Sequence, residues 1–366
     1  MEHIEEPFDE TTRSEPSSNG QADDSASLLA KLEALVSGSA TDLRTALIRE
    51  MIAGVMKFYE YPIDLLDIKI VNRALKELRY AFRVFQPYEH CLKVSIYGSA
   101  RTPPEHPDFQ LAARFGRLLS QRGFMVITGA GAGIMEAGHQ GAGKDMSFGV
   151  NIMLPFEQSA NETIADDHKL VHLKYFFTRK LLFVRESQAA ALFPGGFGTM
   201  DEAFEMLTLV QTGKTNLVPI VCLQAPGSDY WDRWMDFVAG HLLPHGLISE
   251  SDLSLFKIFD HEAPAVEEIE NFYRNFHSYR FVGEHLVIRI RQALTPLQLS
   301  DVQTKFQDLC ANETFSQIQA LPQEQDEPEV LDLPRLAFHY HRRDAGRLRQ
   351  LIDWLNQLQP DPISST

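Results

Sequence analysis

The sequence predicts an α/β protein built on a doubly wound parallel sheet, with a helical N-terminal extension and a small α+β C-terminal domain. Three observations predict it. From Lys93 onward, short apolar runs alternate with stretches in which apolar residues recur at helical spacing. Three of those runs end in glycine-rich turns, at Gly98-Ser99-Ala100, Gly129 to Gly133 and Gly195 to Thr199. The segments before Lys93 and after about residue 284 break the alternation, the first being wholly helical in pattern and the second mixed.

Residues 1–25 are acidic, rich in Ser, Thr, Asn and Gly, and have little to bury, which predicts a disordered acidic tail. Residues 26–88 read as a helical extension. Leu28, Leu29, Leu32 and Leu35 recur at helical spacing, and the stripe resumes from Leu43 to Phe58. Ile68, Val71, Leu75, Leu78 and Phe82 then share one face of Asp67 to Phe85, with Lys and Arg opposite. Such stripes are usually packing faces, so a helical lid or a dimer element is expected rather than a catalytic one.

Residues 89–283 carry the alternation. Strands are expected at Val94–Tyr97, Val126–Thr128, Phe148–Ile152, Lys169–Leu173, Ala189–Phe193 and Val218–Cys222. Leu154-Pro155-Phe156 follows the third of these. Helices are expected at Phe109–Arg122, Ile134–Gly143, Phe177–Glu186, after Thr199, and in the Trp-rich stretch Tyr230–Leu243. This order implies parallel strands joined by right-handed crossovers. In such sheets ligands bind beyond the carboxyl ends of the strands, so the three glycine turns should meet at one edge.

The stretch from Ala189 to Val210 is the centre of the pattern. An apolar strand meets Pro194-Gly195-Gly196, then Gly198 and Thr199, then a helix with Phe204, Leu207 and Val210 on one side. Glycines allow close backbone approach, and the free N–H groups of a helix start, aided by its dipole, favour an anion. Thr199 is expected to cap the helix or donate to a phosphate oxygen. Asp201 and Glu202 are expected in the first turn, where they serve either the bound ligand or only the helix dipole. The second turn, Gly-Ala-Gly-Ala-Gly, brings its third glycine one position too early for the dinucleotide fingerprint, and the next strand ends near Asn151 with no acid for a ribose. NAD and FAD are disfavoured on that ground. The Gly-Lys-Ser/Thr ending of a P-loop is missing too, which disfavours ATP hydrolysis.

Residues 284–366 change pattern again. A strand is expected at Leu286–Ile290, a helix at Thr295–Leu309, an acidic loop at 322–332, a strand at Leu336–Tyr340 and a helix at Ala345–Leu358. A structural cap and a regulatory ligand domain are both compatible with this segment, and no ligand motif is visible in it.

Composition excludes several classes. The 366 residues carry a net charge of −16, which argues against a general nucleic-acid binder. No apolar run approaches the ~20 residues of a membrane helix, and the acidic N-terminus has no apolar signal core. The three cysteines, Cys91, Cys222 and Cys310, are far apart and show neither a disulfide nor a zinc spacing. A cytoplasmic protein with no nucleic-acid or membrane partner is expected. His241 and His245 straddle Pro244, which spoils a helical metal pair. Neither a metal nor another cofactor is expected.

Arg179 and Lys180 sit on the helix that leads into the third glycine turn, and Glu202 sits just beyond it. Two cations and a carboxylate beside a phosphate-binding turn suggest a phosphorylated sugar as ligand. Their bland readings are a surface salt bridge for Arg179 and a helix-start charge for Glu202.

The segment Pro194 to Glu202, PGGFGTMDE, resembles the PGGxGTxxE motif of the Lonely Guy (LOG) family, long labelled lysine decarboxylase-like. The resemblance runs from about Lys93 to Phe276. It takes in Gly98 to Ala100, Gly129 to Ala137, the Arg179-Lys180 pair and the PGG motif in order. It implies a Rossmann-like fold and hydrolysis of the N-glycosidic bond of a nucleoside 5′-monophosphate, such as AMP or a cytokinin ribotide. The products would be free base and ribose 5-phosphate.

Carried over by position, the resemblance makes Arg179 and Glu202 the catalytic pair. Gly195, Gly196, Gly198 and Thr199 become the phosphate turn, and Gly98 and Ser99 the first ligand-contacting turn. Gly131, Gly133 and Glu136 are further expected substrate contacts. Lys180 is expected to hold the phosphate with the third turn. A homodimer or higher homo-oligomer is implied. The short plant-type members have His-Glu before their Arg-Lys pair, where this chain has Phe177-Thr178, and they lack its terminal additions. Those features fit a longer bacterial-type member. No lysine sits in an evident pyridoxal-phosphate context, so the decarboxylase label has no support in the residues. The alternative reading is a non-catalytic nucleotide sensor using the same site.

Overall fold

The computed structural model describes residues 42–153, 159–312 and 314–358. The expected tail, the leucines at 28 to 35 and Leu154-Pro155-Phe156 lie outside the described residues. Two compact units are resolved, one ending at Arg73 and the other spanning Ala74 to Thr366. In the first, α1 (Leu43–Met56) starts at Asp42, whose carboxylate accepts the Thr45 N–H at 2.9 Å, an ordinary N-cap. Leu43, Leu47, Met51 and Val55 of this helix are exposed. The helix α2 (Leu65–Phe85) crosses the boundary, and its C-terminal half buries Glu77, Ala81 and Phe85.

The second unit is built on a seven-stranded, all-parallel sheet. In chain order its elements are β1 (Lys93–Tyr97), α3 (Pro107–Gln121), β2 (Met125–Thr128), α4 (Ile134–Ala142), β3 (Ser147–Ile152), β4 (Leu170–Leu173), α5 (Phe176–Glu186), β5 (Ala189–Leu192), α6 (Phe197–Gln211), β6 (Ile220–Leu223), α7 (Tyr230–Phe237), β7 (Phe256–Phe259) and α8 (Glu262–Phe272). The strand order is β4-β3-β2-β1-β5-β6-β7. The order reverses between β1 and β5, which opens a crevice at their carboxyl ends. The strands β1, β2, β5 and β6 are buried at every position, as expected where helices cover both faces.

Two elements of this sheet lie where the sequence suggests nothing, β7 and α8. The strand is four residues long and only Phe256 is fully buried, so it leaves no apolar run to read. The Trp-rich helix is α-helical only to Phe237 and then widens into a π turn at Val238–Leu242.

The second sheet is antiparallel, with β8 (Phe276–Val282), β9 (His285–Ile290), β10 (Ser316–Ile318) and β11 (Arg335–His339) in the order β10-β11-β9-β8. It carries α9 (Pro296–Phe306) and α10 (Ala345–Gln357). Its first strand begins at Phe276, upstream of residue 284, because the bend at Val282 to His285 is a hairpin within the sheet rather than a boundary. Leu286, Ile288, Phe338, Leu351 and Ile352 belong to the same apolar core as Leu182, Leu192 and Val210 beneath the parallel sheet. The acidic 322–332 stretch is held by burial. Glu324, with no exposed surface, accepts from Arg289 at 2.8 and 3.0 Å and from Leu321 N–H at 3.0 Å. No helix among the described residues is long and apolar enough to cross a membrane.

Candidate active site

A cavity of about 790 Å³ opens at the carboxyl ends of β1, β2, β3 and β5. Gly98, Ser99, Gly129, Gly131, Arg179, Gly195, Gly196, Gly198, Thr199 and Glu202 line it, together with Arg101, Asn151 and Phe197. All three glycine turns therefore meet at one site. They are also bonded to one another. Ser99 N–H donates to Pro194 O at 3.1 Å, and Ile134 N–H donates to Ser99 O at 3.0 Å. Gly133 has φ +66°, and a Cβ there would collide with Ser99 O. That is a backbone state and a close approach only glycine meets cheaply.

The helix α6 starts earlier than the sequence suggests. Its N-cap is Gly196, with no side-chain cap, and Phe197 to Thr199 form the first turn. Thr199 is thus a buried helical residue rather than the cap. Its hydroxyl lies where a Cβ on Gly195 would be, so the two are packed tightly. Asp201 and Glu202 fall in the second turn, not the first. No side chain caps the first turn, and Phe197, Gly198 and Thr199 line the cavity, an arrangement that favours an anion. Tyr230 fixes the turn from behind by donating its hydroxyl to Gly195 O at 2.5 Å.

The side chain of Glu202 is 10% exposed. Burial, reinforced by Glu205 and Asp201 and opposed by Lys180 and Arg179, pushes its carboxyl up to about 7. Burial, followed by the charge of Glu202, holds the Tyr97 phenol well above its ordinary range. The Arg179 guanidinium lies 5.3 Å from the Phe183 ring centroid. A Cβ on Gly129 would collide with that guanidinium, so glycine at 129 is what admits the arginine to the cavity wall.

Three expected contacts lie elsewhere. Lys180 is not among the lining residues. Its Nζ donates to Glu205 at 2.7 Å and Asp201 at 2.9 Å and lies 3.9 Å from Glu202. Burial alone would lower its ammonium, but those hydrogen bonds raise it. It is therefore committed to the α6 carboxylates, and the cations that line the cavity are Arg101 and Arg179. Glu136 accepts from Gln140 at 3.0 Å one turn along α4, outside the lining. Gly133 shapes the second turn from behind.

Several supporting residues leave no sequence signal because their partners are far away in the chain. Glu77 of α2 accepts from Lys174 N–H and from the Thr178 hydroxyl, both at 2.8 Å, and so holds the start of the helix that carries Arg179. Asn161 donates its backbone N–H to Ala130 O at 2.8 Å and its amide to Gly131 O at 3.0 Å. His139 lies 3.0 Å from the Thr128 hydroxyl and 3.0 Å from Phe148 O, with Asn161 on its other nitrogen. Burial pushes this imidazole down to about 4, so it is neutral at physiological pH. The network holds Ala130 at φ +62°. Among the described residues no group of His, Cys, Asp and Glu is arranged to hold a metal ion.

Residues 130–269 match the family model described as "Possible lysine decarboxylase". Over 143 residues the chain is 30% identical to a probable cytokinin riboside 5′-monophosphate phosphoribohydrolase, LOGL5, of Oryza sativa subsp. japonica. That stretch covers 37% of this chain and 55% of the rice protein, so the chain spans about half the length of that relative. Over 111 residues it is 27% identical to an uncharacterized protein of Archaeoglobus fulgidus, covering 30% of this chain and 70% of that one. A solved molybdenum cofactor carrier protein from Chlamydomonas reinhardtii superposes with a TM-score of 0.35 at 16% identity, covering 49% of this chain and 96% of the carrier. The similarity to that family model thus falls on residues 130–269, which carry Gly131, Arg179, the Gly195 to Thr199 turn and Glu202 of the cavity lining.

Proposed function

We propose that the chain hydrolyses the N-glycosidic bond of a nucleoside 5′-monophosphate, releasing the free base and ribose 5-phosphate. The observation that carries this is a buried carboxylate, Glu202, lining the same cavity as an uncapped helix start and an arginine. The phosphate sits on the N–H groups of Phe197, Gly198 and Thr199, with Arg101 as its cation. This places the ribose toward Glu202. As the C1′–N bond breaks, positive charge develops on the sugar, and a carboxylate in a poorly solvated wall stabilises it better than water does. Water adds to C1′ and loses a proton, and the leaving base takes one up. Arg179 balances the charge of the departing base.

The test is chromatography of AMP, GMP, CMP, UMP and isopentenyladenosine monophosphate after incubation with the protein. Release of base is expected, and Glu202→Gln should lose it by on the order of 100-fold or more, as for removal of a transition-state charge partner, while a nucleotide still raises the melting temperature. Stabilisation by nucleotides without release from any of them would replace hydrolysis with sensing. Full turnover in Glu202→Gln would remove that residue from the mechanism.

A further inference from the structure

A second cavity, of about 530 Å³, lies at the opposite end of the parallel sheet. Its floor is the loops that enter β5 and β6, with Ser187, Gln188 and Lys214 to Val218. One wall is the C-terminal half of α5, through Leu181, Val184 and Arg185. The other is Tyr273 with Phe276 to Tyr279 of the antiparallel sheet. Its size falls within the range of small-molecule sites.

The chemistry of the lining is selective. The whole chain carries 50 acidic and 34 basic residues, yet Arg185, Lys214 and His277 line this cavity and no Asp or Glu does. Arg185 is already paired with Glu186 and lies over Phe82 at 4.7 Å. Lys214 is exposed, and its ammonium has no partner among the described residues. His277 is depressed by burial first and then by Arg291 and Arg289, with Glu327 and Glu329 acting against them. Tyr273, Phe276 and Tyr279 give the cavity flat aromatic walls. The Tyr279 hydroxyl accepts from Leu217 N–H at 3.1 Å and keeps its own proton to donate.

The position matters as much as the lining. Arg179 lies at the start of α5, and Arg185 near its end lines the second cavity, about 9 Å further along the axis. Glu202 lies near the start of α6, and that helix ends at Gln211, just before Lys214. Both helices that carry the proposed catalytic pair therefore run from one cavity to the other.

We propose that the second cavity is a regulatory site for a planar-ring anion of the nucleotide class, and that its occupancy is transmitted to Arg179 and Glu202 along α5 and α6. The transmission rests on the reading of that pair given above; the binding does not. A ligand that draws Lys214 and Arg185 together moves the ends of α6 and α5, whose other ends form the hydrolytic site. Coupling of this kind is reciprocal, so a ligand in the first cavity changes affinity in the second.

The probe is AMP, titrated calorimetrically into Glu202→Gln, where turnover is removed. Two classes of site per chain are expected. Lys214→Glu, at an exposed and unpaired position that a thermal melt will show to be folded, should weaken one class by about tenfold or more. Arg179→Ala should weaken the other. His277→Ala should act on the same class as Lys214→Glu. A single class, lost in Arg179→Ala and untouched at Lys214 and His277, overturns the proposal. A single class sensitive only to Lys214 and His277 supports the second site while failing the hydrolytic reading of the first. In the otherwise native chain, Lys214→Glu should change how base release depends on AMP concentration; a curve identical to that of the native chain overturns the transmission.

Discussion

Glu202 is one glutamate among many in an acidic chain, and its surroundings make it different. The carboxyl is pushed up to about 7 because burial outweighs the attraction of Lys180 and Arg179. If the ionised form stabilises the cationic sugar, kcat/KM should fall tenfold per pH unit below about 7 and level off above it, measured as base release against pH. Lys180 sits close enough to hold the value down, at 3.9 Å. Removing its charge in Lys180→Met should therefore move that limb to higher pH while KM changes little. A limb that stays in place with KM rising strongly would instead return Lys180 to the phosphate. The residue was legible in the sequence as a cation near the turn. Its partners were not, because Asp201 and Glu205 lie one turn apart on a helix whose start the sequence misplaces by about one turn.

At the scale of elements, the glycine turns work because helices α3 and α4 pack closely enough to fix the second one. A Cβ on Gly141 would collide with Ala113 O, and one on Gly116 with Gly138 O. The two helices thus meet backbone to backbone. Gly141→Val should destabilise the fold by about 1–3 kcal/mol, the usual cost of overpacking a tight contact, read as a shift of the urea midpoint. A variant as stable as the native chain would mean that the helices can separate without loss. Strand and helix identities were largely readable here, since each is a short apolar run or a striped segment. The contact between α3 and α4 was not, because small residues carry no hydrophobic signal and their value appears only when a second backbone arrives.

At the scale of the molecule, the two sheets share a core, and a buried ionic cluster ties the acidic loop to the second sheet. Burial alone would push the Glu324 carboxyl up, but the Leu321 N–H, Arg289 and Arg335 bring it below its ordinary value. A carboxyl that is lower in the folded state contributes stability above its unfolded value of about 4.5 and loses that contribution as pH falls further. Glu324→Ala leaves the buried Arg335 guanidinium without its anion and Arg289 with Glu327 alone, and should cost about 3–5 kcal/mol at neutral pH. The loss should shrink toward acid. Calorimetric melts at pH 7 and pH 4 check both statements, and an equal loss at the two values would make the effect one of packing. Because the core is continuous, the loss should appear in the melt of the whole unit rather than as a separate early transition.

The sequence by itself determined the order of strands and helices from β1 to α7, the three glycine turns and the motif from Pro194 to Glu202. These are local: each rests on periodicity or on a backbone need that a few consecutive residues express. Only the tertiary structure decided that Lys180 serves the carboxylates while Arg101 faces the cavity, and that Glu77, His139 and Asn161 hold the site in shape. It also decided that the terminal sheet shares the core of the parallel one and walls a second cavity. Those facts depend on which side chains meet across some tens of residues of chain, and a buried hydrogen bond or ion pair leaves no mark on the sequence near either partner.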